Sequence, residues 1–320
     1  MGGSPVVVQE RLRYPGALAV GPMLRFLAAH AVPGVERHDA AARRHTRLVP
    51  APNGPALVHV TFPGPDDDPP EHRGGAVLVA CELADAADRD QVLRRVRGWL
   101  DLATDPDPVD RHLAHDPLLA PLVAQRPGLR VPGSVDGVET ALLAVLGQQV
   151  SLAAARTFAA RLLGELGEPG PGGLHRLRDP AVLAEAGPER LQRATGVTHA
   201  RARTLHAVAT ACADGLRLDT DGLTTDGLTT AGPDADQRPD ADRLLRTRRA
   251  LLALPGIGPW TADYVALRCL RDPDAYLGGD LVLRRVLGVG TAREAEQRAE
   301  PWRPYRGYAL LHLWTAAVFA

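Results

Sequence analysis

Gly256 and Gly258 stand one residue apart in the run Leu254-Pro255-Gly256-Ile257-Gly258-Pro259, and Asp280 closes the later run Tyr276-Leu277-Gly278-Gly279-Asp280. Both glycines allow backbone angles closed to other residues and leave no side chain to block close approach, so N–H groups are expected to face outward together. A turn of that kind opening a helix, whose N-terminus is partially positive, suits one phosphate of a nucleic-acid backbone. It is not a dinucleotide fingerprint. That motif follows a strand and goes on to a third glycine, whereas here a helix precedes and the third place is Thr261. Asp280 taken alone is a natural N-cap for the helix Leu281-Val282-Leu283-Arg284-Arg285-Val286-Leu287. Asp263 is the rival carboxylate nearby, expected to face solvent or brace the turn.

The inventory of reactive side chains narrows the chemistry. All 37 basic residues are arginine, so nothing that needs a lysine amine is available. Cys81, Cys212 and Cys269 are far apart and form no CxxC pair, which argues against zinc, a four-cysteine iron–sulfur cluster or a disulfide framework, and fits a reducing cytoplasm. His112-Leu113-Ala114-His115 has no matched ligand cluster, so no metal is expected. No stretch of about 20 apolar residues occurs, and Met1-Gly2-Gly3-Ser4-Pro5 lacks a signal-peptide pattern. A soluble, unexported chain away from membranes is expected.

Helical elements must position the turn. Leu244, Leu245, Leu251 and Leu252 repeat as on an amphipathic helix, and a second helix is expected from Trp260 to Leu267. Upstream, Val138, Leu142, Val145 and Leu146 form one stripe, and Leu152, Phe158, Leu162 and Leu163 the next, with Ser151 as its N-cap. The connection Gly147-Gln148-Gln149-Val150 joins them, and further helices are expected at about 180–186, 188–195 and 199–213. The first hundred residues differ. Val6-Val7-Val8, the run 56–62 and Ala76-Val77-Leu78-Val79-Ala80 are expected antiparallel strands, with helices around Met23–Val32 and Val92–Leu100. A Pro/Asp hinge at Asp105-Pro106-Asp107-Pro108 separates the halves.

The fold class is therefore α+β: a mixed α/β domain over residues 1–105, then a helical domain over 106–320. Residues 214–242 carry a repeated Asp-Gly-Leu-Thr-Thr and a charge of −6, so a disordered acidic insertion is expected there. The overall charge of −1 hides a basic C-terminal part, with 12 arginines against 7 acids over residues 243–320, the local excess that phosphate contacts need.

Helix, Pro-Gly-Ile-Gly hairpin, helix, loop and aspartate together resemble the helix-hairpin-helix DNA glycosylases. The likeness sharpens to the AlkA-like DNA-3-methyladenine glycosylase II group through Arg126-Pro127-Gly128-Leu129-Arg130-Val131-Pro132-Gly133, Leu146-Gly147-Gln148-Gln149-Val150-Ser151, Met23-Leu24-Arg25-Phe26 and the run from Pro301-Trp302-Arg303 to His312-Leu313-Trp314. The resemblance implies an N-terminal domain similar to half of the TATA-binding protein, then a two-lobed helix-hairpin-helix core with a cleft. It implies a monofunctional enzyme of base excision repair that binds double-stranded DNA as a monomer and flips alkylated bases (3-methyladenine, 7-methylguanine type) out of the helix. Asp280 would be the catalytic carboxylate, Trp260, Tyr264 and Trp314 the base pocket, and Phe26 its edge. Gly256, Ile257, Gly258, Thr261 and Gln148 would meet DNA, and Gln149 would be the wedge. Gly279 departs from the family, where many relatives carry a second acid, and a glutamine wedge replaces an apolar one. No cofactor is implied, although the hairpin carbonyls are a candidate seat for a monovalent cation. Two other functions stay open: a glycosylase for oxidised or mismatched bases, and a noncatalytic DNA-binding protein built on the same hairpin.

Overall fold

The computed structural model describes residues 5–64, 74–219 and 241–318. Strands β1 (Val6–Tyr14), β2 (Glu36–Asp39), β3 (Arg44–Val49), β4 (Ala56–Thr61) and β5 (Gly75–Leu83) form one antiparallel sheet in the order β1-β5-β4-β3-β2. The expected strands are β1, β4 and β5. Strands β2 and β3 escape a reading based on apolar alternation because they run Glu-Arg-His-Asp and Arg-His-Thr-Arg-Leu-Val, with His45, Thr46 and Arg47 all buried. Helices α1 (Val20–His30) and α2 (Arg89–Trp99) contribute Val20, Met23, Leu27, Val92, Val96 and Trp99 to the sheet's core, beside Val58, Val60, Val77 and Val79.

The expected hinge at 105–108 is instead the start of α3 (Pro106–Leu113): the Asp105 carboxylate accepts from the Asp107 N–H, and Pro106 opens the first turn, where its missing N–H costs nothing. Helix α4 (Ala120–Gln125) follows. Helix α5 (Gly137–Leu146) is capped by Asp136, and α6 (Leu152–Leu166) has the expected Ser151 cap. After a small ribbon, β6 (Glu168–Pro169) with β7 (His175–Arg176), come α7 (Pro180–Thr195) and α8 (His199–Ala213). The two helices expected across 180–195 form one element broken at Gly187, whose φ of +71° precedes Pro188.

The chain then runs through α9 (Ala241–Leu252), α10 (Pro259–Arg268), α11 (Leu281–Leu287), α12 (Ala292–Ala299) and α13 (Arg306–Val318). Residues 220–240, the centre of the expected insertion, lie outside the described residues. Its leading edge belongs to the core: Leu218 is buried, Leu216 packs beside it, and a Cβ on Gly137 would meet the Leu218 carbonyl oxygen at 2.0 Å.

Two apolar cores fill the helical part. One joins α5 to α10 through Leu142, Val145, Leu162, Leu205, Val208, Leu251 and Val265; the other joins α3, α4 and α10 to α13 through Leu113, Leu119, Leu267, Leu283, Trp302 and Leu310. Helix α10 feeds both, with Ala262 and Val265 in the first and Ala266 and Leu267 in the second, so it lies on their boundary. Phe26 of α1 belongs to the second core. Among the described residues no helix is long and apolar enough to cross a membrane.

Candidate active site

The turn between α9 and α10 separates the two glycines. Gly256 has φ +80°, and a Cβ there would lie 2.0 Å from the Thr204 hydroxyl oxygen, so both backbone angle and space require glycine. Gly258 does not use the angles open to glycine alone: φ −97° and ψ 176° are extended backbone, and nothing lies within 4 Å of an added Cβ. Open space is what its missing side chain provides. Position at the start of α10 leaves the amides of Gly258, Trp260 and Thr261 without intrahelical acceptors, while Pro259 has no N–H to satisfy. The Ile257 N–H turns inward to the Leu254 carbonyl (3.2 Å), and its side chain is buried in the helical core. The expected outward array of amides is therefore interrupted at its middle residue.

Gln148 and Thr261 brace this turn. The Gln148 amide donates to the Gly256 carbonyl (3.1 Å) and to the buried Thr261 hydroxyl (3.0 Å), and Arg201 donates to the Gln148 carbonyl at 2.5 Å. Gln149, in the α5–α6 connection, is exposed and has a left-handed φ of +55°. The hairpin carbonyls of Leu254, Gly256 and Gly258 each accept one protein hydrogen bond, which leaves one lone pair on each for a cation. Among the described residues no cluster of three or more His, Cys, Asp or Glu is placed to hold a metal ion.

Asp280 caps α11, its Oδ1 accepting from the Leu283 N–H at 2.8 Å. Two indoles complete its shell: Trp314 Nε1–H donates to Oδ1 and Trp260 Nε1–H to Oδ2, each at 3.1 Å. The half-buried carboxylate has its orientation fixed from three elements, and among the described residues no cation pairs with it. Asp263 is the opposite case. Arg248 of α9 holds it through Nε (2.6 Å) and Nη2 (3.3 Å), so it ties the hairpin helices together.

From Asp280 an aromatic wall runs inward along α10. Trp260 and Tyr264 stack with centroids 5.2 Å apart and planes 8° from parallel. Arg268 comes next. Its guanidinium donates to the Tyr264 hydroxyl at 2.6 Å and lies 4.7 Å from the Phe26 ring centroid. His30 stacks on Phe26 at 4.0 Å, and burial together with the nearby Arg268 charge lowers its pKa to about 4, keeping the imidazole neutral. These residues line a cavity of about 280 Å³, a volume suited to one heteroaromatic ring system. All four expected pocket residues, Phe26, Trp260, Tyr264 and Trp314, line it with Asp280.

The cavity continues to a floor that reading the sequence missed, lined by Trp99, Glu36, Arg47 and Glu139. Arg47 pairs with Glu36 (2.6 Å) and Glu139 (2.8 Å) while lying over Trp99 at 5.5 Å. Burial works against the Glu36 charge, but Arg47 holds its carboxyl down to about 2; at Glu139 burial prevails and raises the pKa to about 7. Glu36 and Arg47 stand on the two unexpected strands, where no sequence signal marks them. Arg268 was legible: Trp260, Tyr264 and Arg268 recur at i, i+4 and i+8 on one face of α10.

Comparisons with known proteins agree with this architecture. The family described as AlkA N-terminal domain matches residues 9–136. A Mycobacterium tuberculosis protein named probable bifunctional transcriptional activator/DNA repair enzyme AlkA is 39% identical over 318 residues, covering 96% of this chain and 57% of that protein. The chain thus spans little more than half the length of that relative. DNA-3-methyladenine glycosylase 2 of Escherichia coli is 34% identical over 234 residues, covering 70% of this chain and 71% of that protein. The structure of a 3-methyladenine DNA glycosylase from Archaeoglobus fulgidus shares the fold, with a TM-score of 0.72 at 18% identity over 97% of this chain and 98% of that one. With 34% identity across most of the E. coli enzyme's length, the chain belongs to the DNA-3-methyladenine glycosylase 2 (AlkA) family.

Proposed function

We propose that this protein is a monofunctional DNA glycosylase, which flips alkylated bases from double-stranded DNA and hydrolyses the N-glycosidic bond in base excision repair. Residues 106–320 form its catalytic core, and residues 1–105 supply Phe26 and, with Glu36, Arg47 and Trp99, most of the pocket floor. The observation that carries this reading is the Asp280 carboxylate, fixed by two indole N–H groups and, among the described residues, unpaired with any cation, at an aromatic cavity sized for one base.

A base inside a duplex is out of reach, so the nucleotide must be extruded at a cost of a few kcal/mol. Alkylation at N3 or N7 makes a purine cationic, which improves it as a leaving group and draws it to the electron-rich faces of Trp260, Tyr264 and Trp314. As the C1′–N bond breaks, positive charge develops on the sugar. Asp280 stabilises that charge and accepts a proton from the water that attacks C1′. Its oxygens already accept from neutral N–H groups, so its charge is oriented without being cancelled. The open space at Gly258 and the first-turn amides of α10 receive a backbone phosphate, and the exposed Gln149 fills the gap left by the flipped base.

No lysine is present, and arginine stays protonated, so no side-chain amine can form a Schiff base with the sugar. The product is an intact abasic site, made by a monomer in the cytoplasm. The test is product analysis on duplexes carrying 3-methyladenine, 7-methylguanine or 8-oxoguanine, with and without sodium borohydride. Release of the methylated bases without strand scission or adduct is expected. Release of 8-oxoguanine alone would favour oxidised bases, DNA binding without release would leave a noncatalytic binder, and a borohydride-trapped adduct would overturn the monofunctional reading.

A further inference from the structure

Arg268 is only 9% exposed, yet among the described residues no carboxylate pairs with it. Its guanidinium donates to the Pro132 carbonyl through Nε, to the Gly133 carbonyl through Nη2 (3.0 Å) and to the Tyr264 hydroxyl through Nη1 (2.6 Å). Three of five N–H donors are used, and one on each Nη is left over. A buried cation is costly unless something anionic or strongly accepting answers it. The buried Arg47 of the same cavity shows the usual answer, a carboxylate on either side. Arg268 lines the cavity too and lacks that answer.

Its place along the wall says when the answer arrives. Asp280 touches Trp260, Trp260 stacks on Tyr264, and Tyr264 is bonded to Arg268. A flipped purine with its sugar at Asp280 therefore extends its distal edge, the edge that carries the 6-substituent, toward Arg268. A cationic alkylated purine leaves as a neutral molecule, so no negative charge develops at that edge even where, as in 7-methylguanine, an O6 is present. A neutral 6-oxopurine, however, leaves with the electron pair of the broken C1′–N9 bond and becomes an anion whose charge spreads onto O6.

We propose that Arg268 is a further catalytic residue, specific for neutral bases: its guanidinium donates hydrogen bonds to the O6 edge of a flipped 6-oxopurine and stabilises the charge that the base acquires in leaving. The proposal rests on the glycosylase reading above. No proton passes from Arg268. Water adds to C1′ and gives its proton to Asp280, and solvent protonates the released base anion, so the products are the abasic sugar and the neutral base. A hydrogen bond from a charged donor to a developing anion corresponds to a rate effect of about 10- to 100-fold.

The test is single-turnover excision from duplexes containing hypoxanthine, the neutral probe, or 7-methylguanine, the cationic one. Arg268→Met should lower the ratio of hypoxanthine to 7-methylguanine release rates about 10- to 100-fold relative to the wild type, whatever loss it brings to both probes alike. Equal losses on both probes would reduce Arg268 to a brace for Pro132, Gly133 and Tyr264, and overturn the proposal. Unchanged hypoxanthine release would do so as well. A second readout needs no variant: guanidinium does not titrate, so wild-type hypoxanthine release should be flat from about pH 6 to 9, and a tenfold fall per pH unit would assign the help to an acid instead. A wild type active on 7-methylguanine but inert on hypoxanthine overturns this inference alone. Inactivity on both overturns the glycosylase reading itself.

Discussion

The two ends of the cavity treat their carboxylates in opposite ways. At the mouth, Asp280 meets one backbone amide and two indoles, all neutral donors. On the floor, Glu36 and Glu139 flank Arg47, and the charges largely cancel. Ion pairing neutralises a buried acid at the cost of its usefulness to a cationic transition state, whereas neutral N–H donors fix a carboxylate and leave its field intact. The contrast supports the proposal that the mouth is the working end of the pocket. The floor ties the sheet to the helical part of the chain, because Glu36 and Arg47 stand on the sheet and Glu139 on α5.

The sharpest way to break the comparison is Asp280→Asn. Asparagine is as good an N-cap and still accepts from Leu283, so folding and duplex binding should persist while excision of 7-methylguanine falls by about a thousandfold or more. Single-turnover rates near wild type would show that the charge at the mouth is not used. At the floor, Arg47→Met should instead cost about 3–5 kcal/mol of stability, read by urea unfolding, because two buried carboxylates lose their shared cation. Its folded fraction should still excise within about threefold of wild type, and a loss as deep as that of Asp280→Asn would erase the division of roles.

The hairpin repeats the contrast on a smaller scale. Gly258→Val should lower affinity for all duplex sequences about tenfold with little change in melting temperature, whereas Gly256→Val should fold poorly, since its Cβ would collide with Thr204. Matching defects in the two variants would refute the distinction.

Glu139→Gln should have a smaller, pH-dependent effect. The folded pKa of about 7 lies above the ordinary value of 4.5, so the folded protein keeps a proton that the unfolded chain releases. Wild-type stability should therefore be full below about pH 4.5 and decline as pH rises toward 7, while the glutamine variant cannot ionise. The melting temperature of the variant relative to wild type should climb across that window and level off above it. Arg47, Glu36 and Asp136 surround this carboxyl, and a gap that narrowed with rising pH would mean that their fields hold Glu139 ionised instead. Smallest of all, Asp263→Asn should alter excision less than about threefold and stability by no more than about 1 kcal/mol, as expected for a half-exposed ion pair with Arg248.

The sequence alone determined the helix-hairpin-helix, because Leu251, Leu252, the glycines and the start of α10 form a local pattern, and local patterns need no distant partner. It determined Asp280 as the cap of α11, the i, i+4, i+8 face of Trp260, Tyr264 and Arg268, and the lack of any lysine. Resemblance, rather than spacing, raised Asp280 above an N-cap and chose Phe26 and Trp314. Only tertiary packing decided that the indoles of Trp260 and Trp314, 20 residues before and 34 after, both reach Asp280. Packing alone set Thr204 against Gly256 and buried Arg47 between Glu36 and Glu139. Periodicity is written in neighbouring residues, but which side chains meet across two cores and a sheet follows from how those faces close on one another. A strand such as Arg-His-Thr-Arg, whose buried groups are polar, gives no warning of the partners it will find.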